Sequence, residues 1–349
     1  MHPPLVDPVR APKVNRDHPL RHQADPALCG ALTSLRVMSA PACSFAIAVP
    51  QQVGPHGYDP AAVADYLRRA EELGFTGCWV SEQVVGTAPL LSPLEVLGMA
   101  AGCTRRMRLG TAALISVVRS PLHLAHSIAT LDHLSGGRVE LGVAGGGPRR
   151  PFAAYGMTAD GYARRFTEGV ELVTAALTQP AVTFHGRFYE VDQLPVEPKP
   201  VQRPRPPLWI GGGHPAAVRR AVRLGDGFFG AGSTTTEAFA QQVGVAREAL
   251  RAAGREADGF RIAKRVYVAV DDDPAAARAR MGAALDGLYG WFGLRDLAGV
   301  AVTGTPQQCA DGLRAVSAAG AELVLLDPVD GSPAVLERLA GEVLPAVLR

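Results

Sequence analysis

Cysteine is scarce in this chain. The five residues Cys29, Cys43, Cys78, Cys103 and Cys309 are odd in number and widely spaced, and no two form a Cys-x-x-Cys pair. That argues against a disulfide framework and a thiolate zinc site, and makes a reducing, cytoplasmic setting the natural one. Cys78 and Cys103 lie in apolar surroundings and read as small core residues. Charge is also sparse: ionised types make up 19% of residues, and 35 basic against 33 acidic side chains leave a net +2. Without a dense basic cluster there is no footprint for nucleic acid. No apolar run approaches the roughly 18 residues of a membrane helix, so no membrane partner is expected. Several catalytic signatures are missing too. No His-x-His follows the first strand, no Gly-x-Ser-x-Gly occurs, and none of the three glycine clusters that follow strands opens a Gly-x-Gly-x-x-Gly with an acidic residue about 20 positions on. His123 and His126 are three apart but fall early on a helix, which is a poor place for a barrel metal site.

What the chain has in excess is glycine, 39 residues, and proline, 28, beside a hydrophobic content of 47% that suffices for a large core. Seven of the prolines (Pro3, Pro4, Pro8, Pro12, Pro19, Pro26 and Pro41) fall in residues 1–43. That stretch has no sustained periodicity and no signal-peptide apolar core, so it reads as a poorly ordered N-terminal extension. Met38, just ahead of the first convincing strand, is a candidate natural start.

From residue 44 the punctuation becomes regular. Ser44–Val49, Gly77–Ser81, Arg108–Leu114, Arg138–Val143, Pro207–Gly211, Gly227–Gly230, Phe260–Val270 and Glu322–Leu326 are strand candidates. Between them, polar-Pro pairs open helices: Asp59-Pro60, Ser92-Pro93, Ser120-Pro121, Asp273-Pro274, Thr305-Pro306 and Ser332-Pro333. Ser92 with Glu95 fits a capping box. The prolines at 60, 93 and 121 are 33 and 28 residues apart, the length of a βα unit. Eight strands that are apolar without strict alternation indicate a parallel sheet covered on both faces. Over about 300 residues this predicts a (β/α)8 TIM barrel, an α/β fold, spanning 44–349. A doubly wound sheet is the alternative, but it would more often use fewer strands. Residues 144–206, with a probable hairpin at Val182–Asp192, and 284–304 break the rhythm and read as insertion segments shaping the mouth.

Barrel active sites lie at the C-terminal ends of the strands. Three of those ends are glycine-rich: Gly145, Gly146 and Gly147; Gly211, Gly212 and Gly213; and Gly230 to Gly232 followed by Ser233. Glycine lets backbone N–H groups approach an anion closely, and helix N-termini favour negative charge. One such cluster is an ordinary tight turn; three on one rim favour a phosphate-bearing cofactor. The strand-2 end adds Ser81, Glu82 and Gln83, and His56 follows strand 1.

The segment LRLGTAALISVVRSPLHLAHSIATLDHLSGGRVELGV, with GFTGCWVSE before it and EPKPVQRPRPPLWIGG and GDGFFGAG after it, resembles the bacterial luciferase-like monooxygenase superfamily. The likeness covers about residues 44–349 in order. It implies a (β/α)8 barrel that binds FMN or coenzyme F420, acts on a small organic substrate and forms a homo-oligomer. It further implies a non-prolyl cis peptide behind the ring, matching Ala112–Ala113. Gly145–Gly147, Gly211–Gly213, Gly232 and Ser233 would then border the phosphate. With F420 the chemistry would be hydride transfer, the favoured expectation; with reduced FMN, oxygen activation. Many members carry His after the strand-2 acid, where this chain has Gln83. Glutamine forms hydrogen bonds but does not shuttle a proton near neutral pH. Glu82 and His56 are the candidates to replace it, Glu82 reading equally as an ion-pair partner that fixes the rim. A flavin-binding protein without turnover is the competing class.

Overall fold

The computed structural model describes residues 43–147, 150–255, 259–328 and 331–349. The expected poorly ordered extension and the Met38 start fall outside these residues, apart from Cys43, which is buried.

In chain order the strands are β1 (Ser44–Ala48), β2 (Gly77–Val80), β3 (Arg108–Thr111), β4 (Leu114–Ile115), β5 (Val139–Ala144), β6 (Val182–His185), β7 (Glu190–Leu194), β8 (Leu208–Gly211), β9 (Gly227–Gly230), β10 (Arg261–Val270), β11 (Val302–Gly304) and β12 (Leu323–Pro328). Parallel pairing runs β1-β2-β3-β5-β8-β9-β10-β12 and returns to β1, closing an eight-stranded barrel. Helices fill the crossovers: α1 (Pro60–Glu72), α2 (Pro93–Cys103), α3 (Pro121–Ser135), α4 (Tyr162–Thr178), α5 (Pro215–Leu224), α6 (Thr236–Ala252), α7 (Pro274–Tyr289) and α8 (Pro306–Ala318), with α9 (Pro333–Arg338) near the end. This is the expected TIM barrel. Among the described residues no helix is long and apolar enough to cross a membrane.

Three local details differ from expectation. The third strand is not continuous over 108–114. It breaks at a cis Ala112–Ala113 bond into β3 and β4, both of which pair with β5. The ambiguous 284–304 segment contains a short extra strand, β11, which extends the sheet beside β10. Ser92 does not cap α2 through its side chain; its hydroxyl is spent on the Glu95 carboxylate instead. The other polar-Pro starts include true caps: Asp59 accepts from Ala61 and Ala62 N–H, and Thr305 with Gln308 forms a full capping box.

Strand pleating divides the apolar residues between two layers. One set, including Phe45, Ile47, Leu109 and Leu326, packs against the helices. The other points into the barrel: Ala46, Ala48, Trp79, Ala112, Trp209, Phe229, Ala263, Leu323 and Leu325. Trp79 and Trp209 meet edge to face at 6.0 Å, and Phe229 lies 5.1 Å from Trp79. Below them the Glu140 carboxylate accepts the Trp209 indole N–H at 2.6 Å and Arg108 Nε at 2.8 Å. The rings fill the interior because small residues face them. A Cβ on Gly110 would lie 2.1 Å from Trp79, and one on Gly142 1.8 Å from the Thr111 carbonyl oxygen.

The TLDHLSGGR segment is structural. Asp132 accepts the Gln202 backbone and side-chain N–H groups at 2.9 and 2.7 Å, while His133 Nε2 meets the Lys199 carbonyl at 2.8 Å. The Arg138 guanidinium donates to the Ser135, Met107, Ala101 and Thr104 carbonyls. Asp132 and His133 thus fasten the proline-rich return of the 144–206 insertion to the end of α3, while Arg138 ties the turn after α3 to the end of α2.

Close approach at Gly142 leads to a paired test. Gly142→Ala should destabilise the chain by at least about 3 kcal/mol, because the obstacle is backbone and cannot rotate away. Gly98→Ala, mid-helix with open space around its Cβ position, should stabilise by roughly 0.5–1 kcal/mol. Urea unfolding of both variants checks this; equal effects would contradict the packing described.

Candidate functional site

Above the aromatic plug, at the C-terminal ends of the strands, the barrel opens into two adjoining lobes. The first, about 550 Å³, lies over the ends of β2, β3, β5, β8 and β9. The second, about 520 Å³, lies over the ends of β1 and β12 and against α7. Ser81, Leu90, Arg265, Tyr267 and Leu288 line both.

All ten residues expected to contact a cofactor line the first lobe: Ala112, Ala113, Gly145, Gly146, Gly147, Gly211, Gly212, Gly213, Gly232 and Ser233. Glu82 and Gln83 line it as well. The Ala112–Ala113 step and Ala144 give its inner wall small side chains. Gly146 has a φ of +74°, and a Cβ there would collide with Arg150. Gly213 leads into α5, where His214 caps the helix by accepting the Ala216 N–H at Nδ1, 3.2 Å. The positive end of the α5 dipole therefore borders the lobe.

Two arginines complete this wall that the sequence reading missed, Arg150 and Arg220. Neither has an ion-pair partner among the described residues, and the Arg150 Nε is buried without a hydrogen-bond partner. Burial lowers the pKa of both guanidinium groups from the ordinary value, the mark of a charge held in poorly hydrated surroundings. Their position in the chain offered one signal: Arg150 follows the glycine cluster in GGGPRR.

Glu82 is committed. It is buried, its Oε2 accepts the Ile115 N–H at 2.5 Å, and its Oε1 is bound by the Arg119 guanidinium, with Arg119 Nε at 3.0 Å. With both oxygens engaged it anchors the chain just past the Ala112–Ala113 step. Gln83 contrasts with it: its buried Nε2 has no hydrogen-bond partner. The expectation for His56 needs correcting. A tight turn in which Gly54 and Gly57 pair holds it out in solvent, and it lines neither lobe. His123 and His126 are exposed on α3.

Further charged and polar groups support the mouth. Arg265 and Asp327 pair at 3.0 Å, Arg265 also donates to Ser81 Oγ at 3.0 Å, and the Tyr267 and Tyr289 hydroxyls are 2.8 Å apart. On the outward face of β10, Lys264 is buried and its Nζ donates to the Ala231 and Thr234 carbonyls at 3.1 and 2.8 Å. It thereby ties down the loop that presents Gly232 and Ser233.

Burial pushes the Lys264 ammonium pKa down to about 8. In the unfolded chain a lysine titrates near ~10.4. Between these values the unfolded state binds the proton that the folded state has released, so this group's contribution to stability rises with pH across that window. Relative to Lys264→Met, the native chain should therefore gain stability from pH 7.5 to 10, by up to roughly 3 kcal/mol. Urea midpoints at the two pH values measure the difference; a constant gap would count against it.

A family model described as luciferase-like monooxygenase matches residues 42–323. Among curated proteins, an F420-dependent glucose-6-phosphate dehydrogenase of Kineococcus radiotolerans is 31% identical over 231 residues, 63% of this chain and 67% of that protein. An FMNH2-dependent dimethylsulfone monooxygenase of Pseudomonas putida is 32% identical over 171 residues, 48% of this chain and 46% of that protein. Two uncharacterised proteins of Sinorhizobium fredii match over 52% and 57% of their length, so the chain spans about half the length of these curated relatives. A crystal structure of the monooxygenase RslO1 from Streptomyces bottropensis superposes with a TM-score of 0.74 at 25% identity, covering 86% of this chain and 99% of that one. The closed barrel, the cis Ala112–Ala113 step beside the glycine-lined lobe and the family match over most of the chain lead to one assignment: the chain belongs to the luciferase-like monooxygenase family.

Proposed function

We propose that the chain is an oxidoreductase that binds coenzyme F420 or FMN in the first lobe, with F420-dependent hydride transfer as the leading reading. The observation that carries it is the combination, in one cavity, of three glycine-rich strand ends, small side chains at Ala112 and Ala113, and two guanidinium groups without counter-ions. That lining fits a flat ring joined to a phosphate. The alanines leave room for a ring, while Arg150, Arg220 and the α5 N-terminus supply the positive field a phosphate needs. Bound there, the cofactor supplies the redox chemistry, by hydride transfer from a deazaflavin or by oxygen activation on a reduced flavin.

The chain's own residues bind, orient and exclude water. Glu82, fixed by Arg119, positions the backbone at Ile115. Gln83 offers an unused amide N–H that can donate to a ring heteroatom, and it carries no titratable proton. The plug of Trp79, Trp209 and Phe229 closes the barrel below. The F420-dependent relative supports the first reading; the dimethylsulfone monooxygenase and RslO1 support the second, an FMN-dependent monooxygenase. A homo-oligomer in a reducing compartment agrees with the free thiols at Cys43, Cys78, Cys103 and Cys309 and with exposed Val84 and Trp291 beside the mouth.

Titration with FMN and with F420, each followed by fluorescence, separates the readings. One of them should bind at micromolar concentration. Arg150→Ala and Arg220→Ala should each weaken it by about tenfold or more, as expected for loss of a charged hydrogen bond. Arg219→Ala, on the exposed side of α5, should leave it unchanged. Binding of neither cofactor would refute the proposal. Oxygen-dependent turnover of a reduced flavin would move the assignment to the monooxygenase.

A further inference from the structure

The second lobe says what kind of molecule would meet that cofactor, an inference that rests on the cofactor reading of the first. Its walls are divided between polar and apolar surface, the apolar part including Pro50, Ala88, Leu90, Met281, Leu285 and Leu288. Among its described lining residues the ionisable side chains are Arg265, Asp327 and Tyr267. Arg265 and Asp327 neutralise each other at 3.0 Å, with side chains 12% and 20% exposed. Arg265 is further occupied by Ser81 Oγ. The Gln51 amide is fully used: its Oε1 accepts the Ser81 N–H at 2.7 Å, and its Nε2 donates to the Ser81 and Leu91 carbonyls at 3.0 and 3.1 Å. A phosphate or carboxylate entering this lobe would lose its hydration and find no free cation. Displacing Asp327 from Arg265 to make one would strand a buried carboxylate.

A buried polar feature is available at the junction of the lobes. The Tyr267 and Tyr289 hydroxyls meet at 2.8 Å where the lobes join. In such a pair one hydrogen is committed to the partner oxygen and the other is free to donate. Tyr267 is buried, and burial raises its pKa well above the ordinary tyrosine value, so its hydroxyl stays protonated at neutral pH.

We infer that the second lobe takes a neutral organic substrate of moderate size, whose carbonyl or hydroxyl oxygen is received by the Tyr267–Tyr289 pair. A cavity of about 520 Å³ suits a compact small molecule. The inference sets this chain apart from relatives named for a sugar phosphate.

Calorimetry and saturation-transfer NMR on the full chain test it, with 2-decalone and 2-nonanone as neutral probes and glucose 6-phosphate as the charged one. FMN and F420 binding are measured on the same samples. The ketones should bind and glucose 6-phosphate should not. Ala284→Trp, which fills the second lobe alone, should weaken ketone binding at least tenfold while cofactor affinity stays within twofold; Ala284→Leu should act in the same direction if the larger residue prevents folding. Tyr267→Phe, which removes the hydroxyl that lines the second lobe, should weaken the ketones by about fivefold, the usual worth of one neutral hydrogen bond. Glucose 6-phosphate binding that Ala284→Trp abolishes would overturn the inference. So would ketone binding indifferent to that variant, or no ketone binding by a protein that binds its cofactor. Ketone binding in the second lobe without binding of either cofactor would instead overturn the cofactor reading and leave this inference standing.

Discussion

A closed eight-stranded barrel must fill its own interior, and the rest of this molecule follows from how that is done. Trp79, Trp209 and Phe229 occupy the space, made possible by Gly110, Gly227 and the alanines that face them. Once the lower interior is solid, a ligand can be received at the strand ends. The same inward-facing register that carries the plug then climbs to the mouth. On β10 it runs Ala263, Arg265, Tyr267; on β12 it runs Leu323, Leu325, Asp327; past β2 it runs from Trp79 to Ser81. The pairing register sets Arg265 beside Leu325 and Tyr267 beside Asp327. Thus one pleat brings a guanidinium, a carboxylate and a phenol to the junction of two cavities.

The two lobes handle charge in opposite ways. In the first, Arg150 and Arg220 have no acidic ion-pair partner among the described residues and lie against a helix N-terminus, so the wall presents a positive field to an anion. In the second, the one guanidinium is cancelled by the one carboxylate. A cofactor with a phosphate and a neutral reaction partner are the natural pair for such a division. The substituent at the shared wall is then decisive, since Arg265 and Tyr267 face both compartments.

The architecture was readable in the sequence because its punctuation is chemical. Asp59, Thr305 and Ser332 cap helices through atoms whose preference for that position is local, and each is followed by proline at the first helical turn. The glycine rim was readable for the same reason. The long-range partners were not. In RIAKRVYVAV the charges of Lys264 and Arg265 stand out, but a strand buried on both faces gives no alternation by which to tell the layers apart. Lys264 turns outward to fasten the 231–234 loop, while Arg265 turns inward to Asp327, 62 positions away in the chain. Of the insertion segments expected to shape the mouth, part of 284–304 walls the second lobe. The hairpin at 182–194 pairs within itself, away from both. The conspicuous TLDHLSGGR motif is a fastening for the return segment, so the strongest family signal in the sequence reports packing rather than chemistry.

The exchange of histidine for Gln83 acquires a physical meaning from these neighbours. An imidazole at that point could exchange a proton near neutral pH; an amide cannot. Glu82 is unsuited to take over the duty, since protonating it would break the Arg119 pair and the Ile115 contact together. His56 is on the wrong side of its turn. Hydroxyl groups at the lobe junction are what remains close at hand, and they are paired to each other rather than to a base. On the proposed reading, a site built this way would stabilise a developing oxygen charge by donating a hydrogen bond, and its chemistry would depend less on the ionisation of one side chain than on the placing of Tyr267, whose ring Arg265 covers at 5.6 Å.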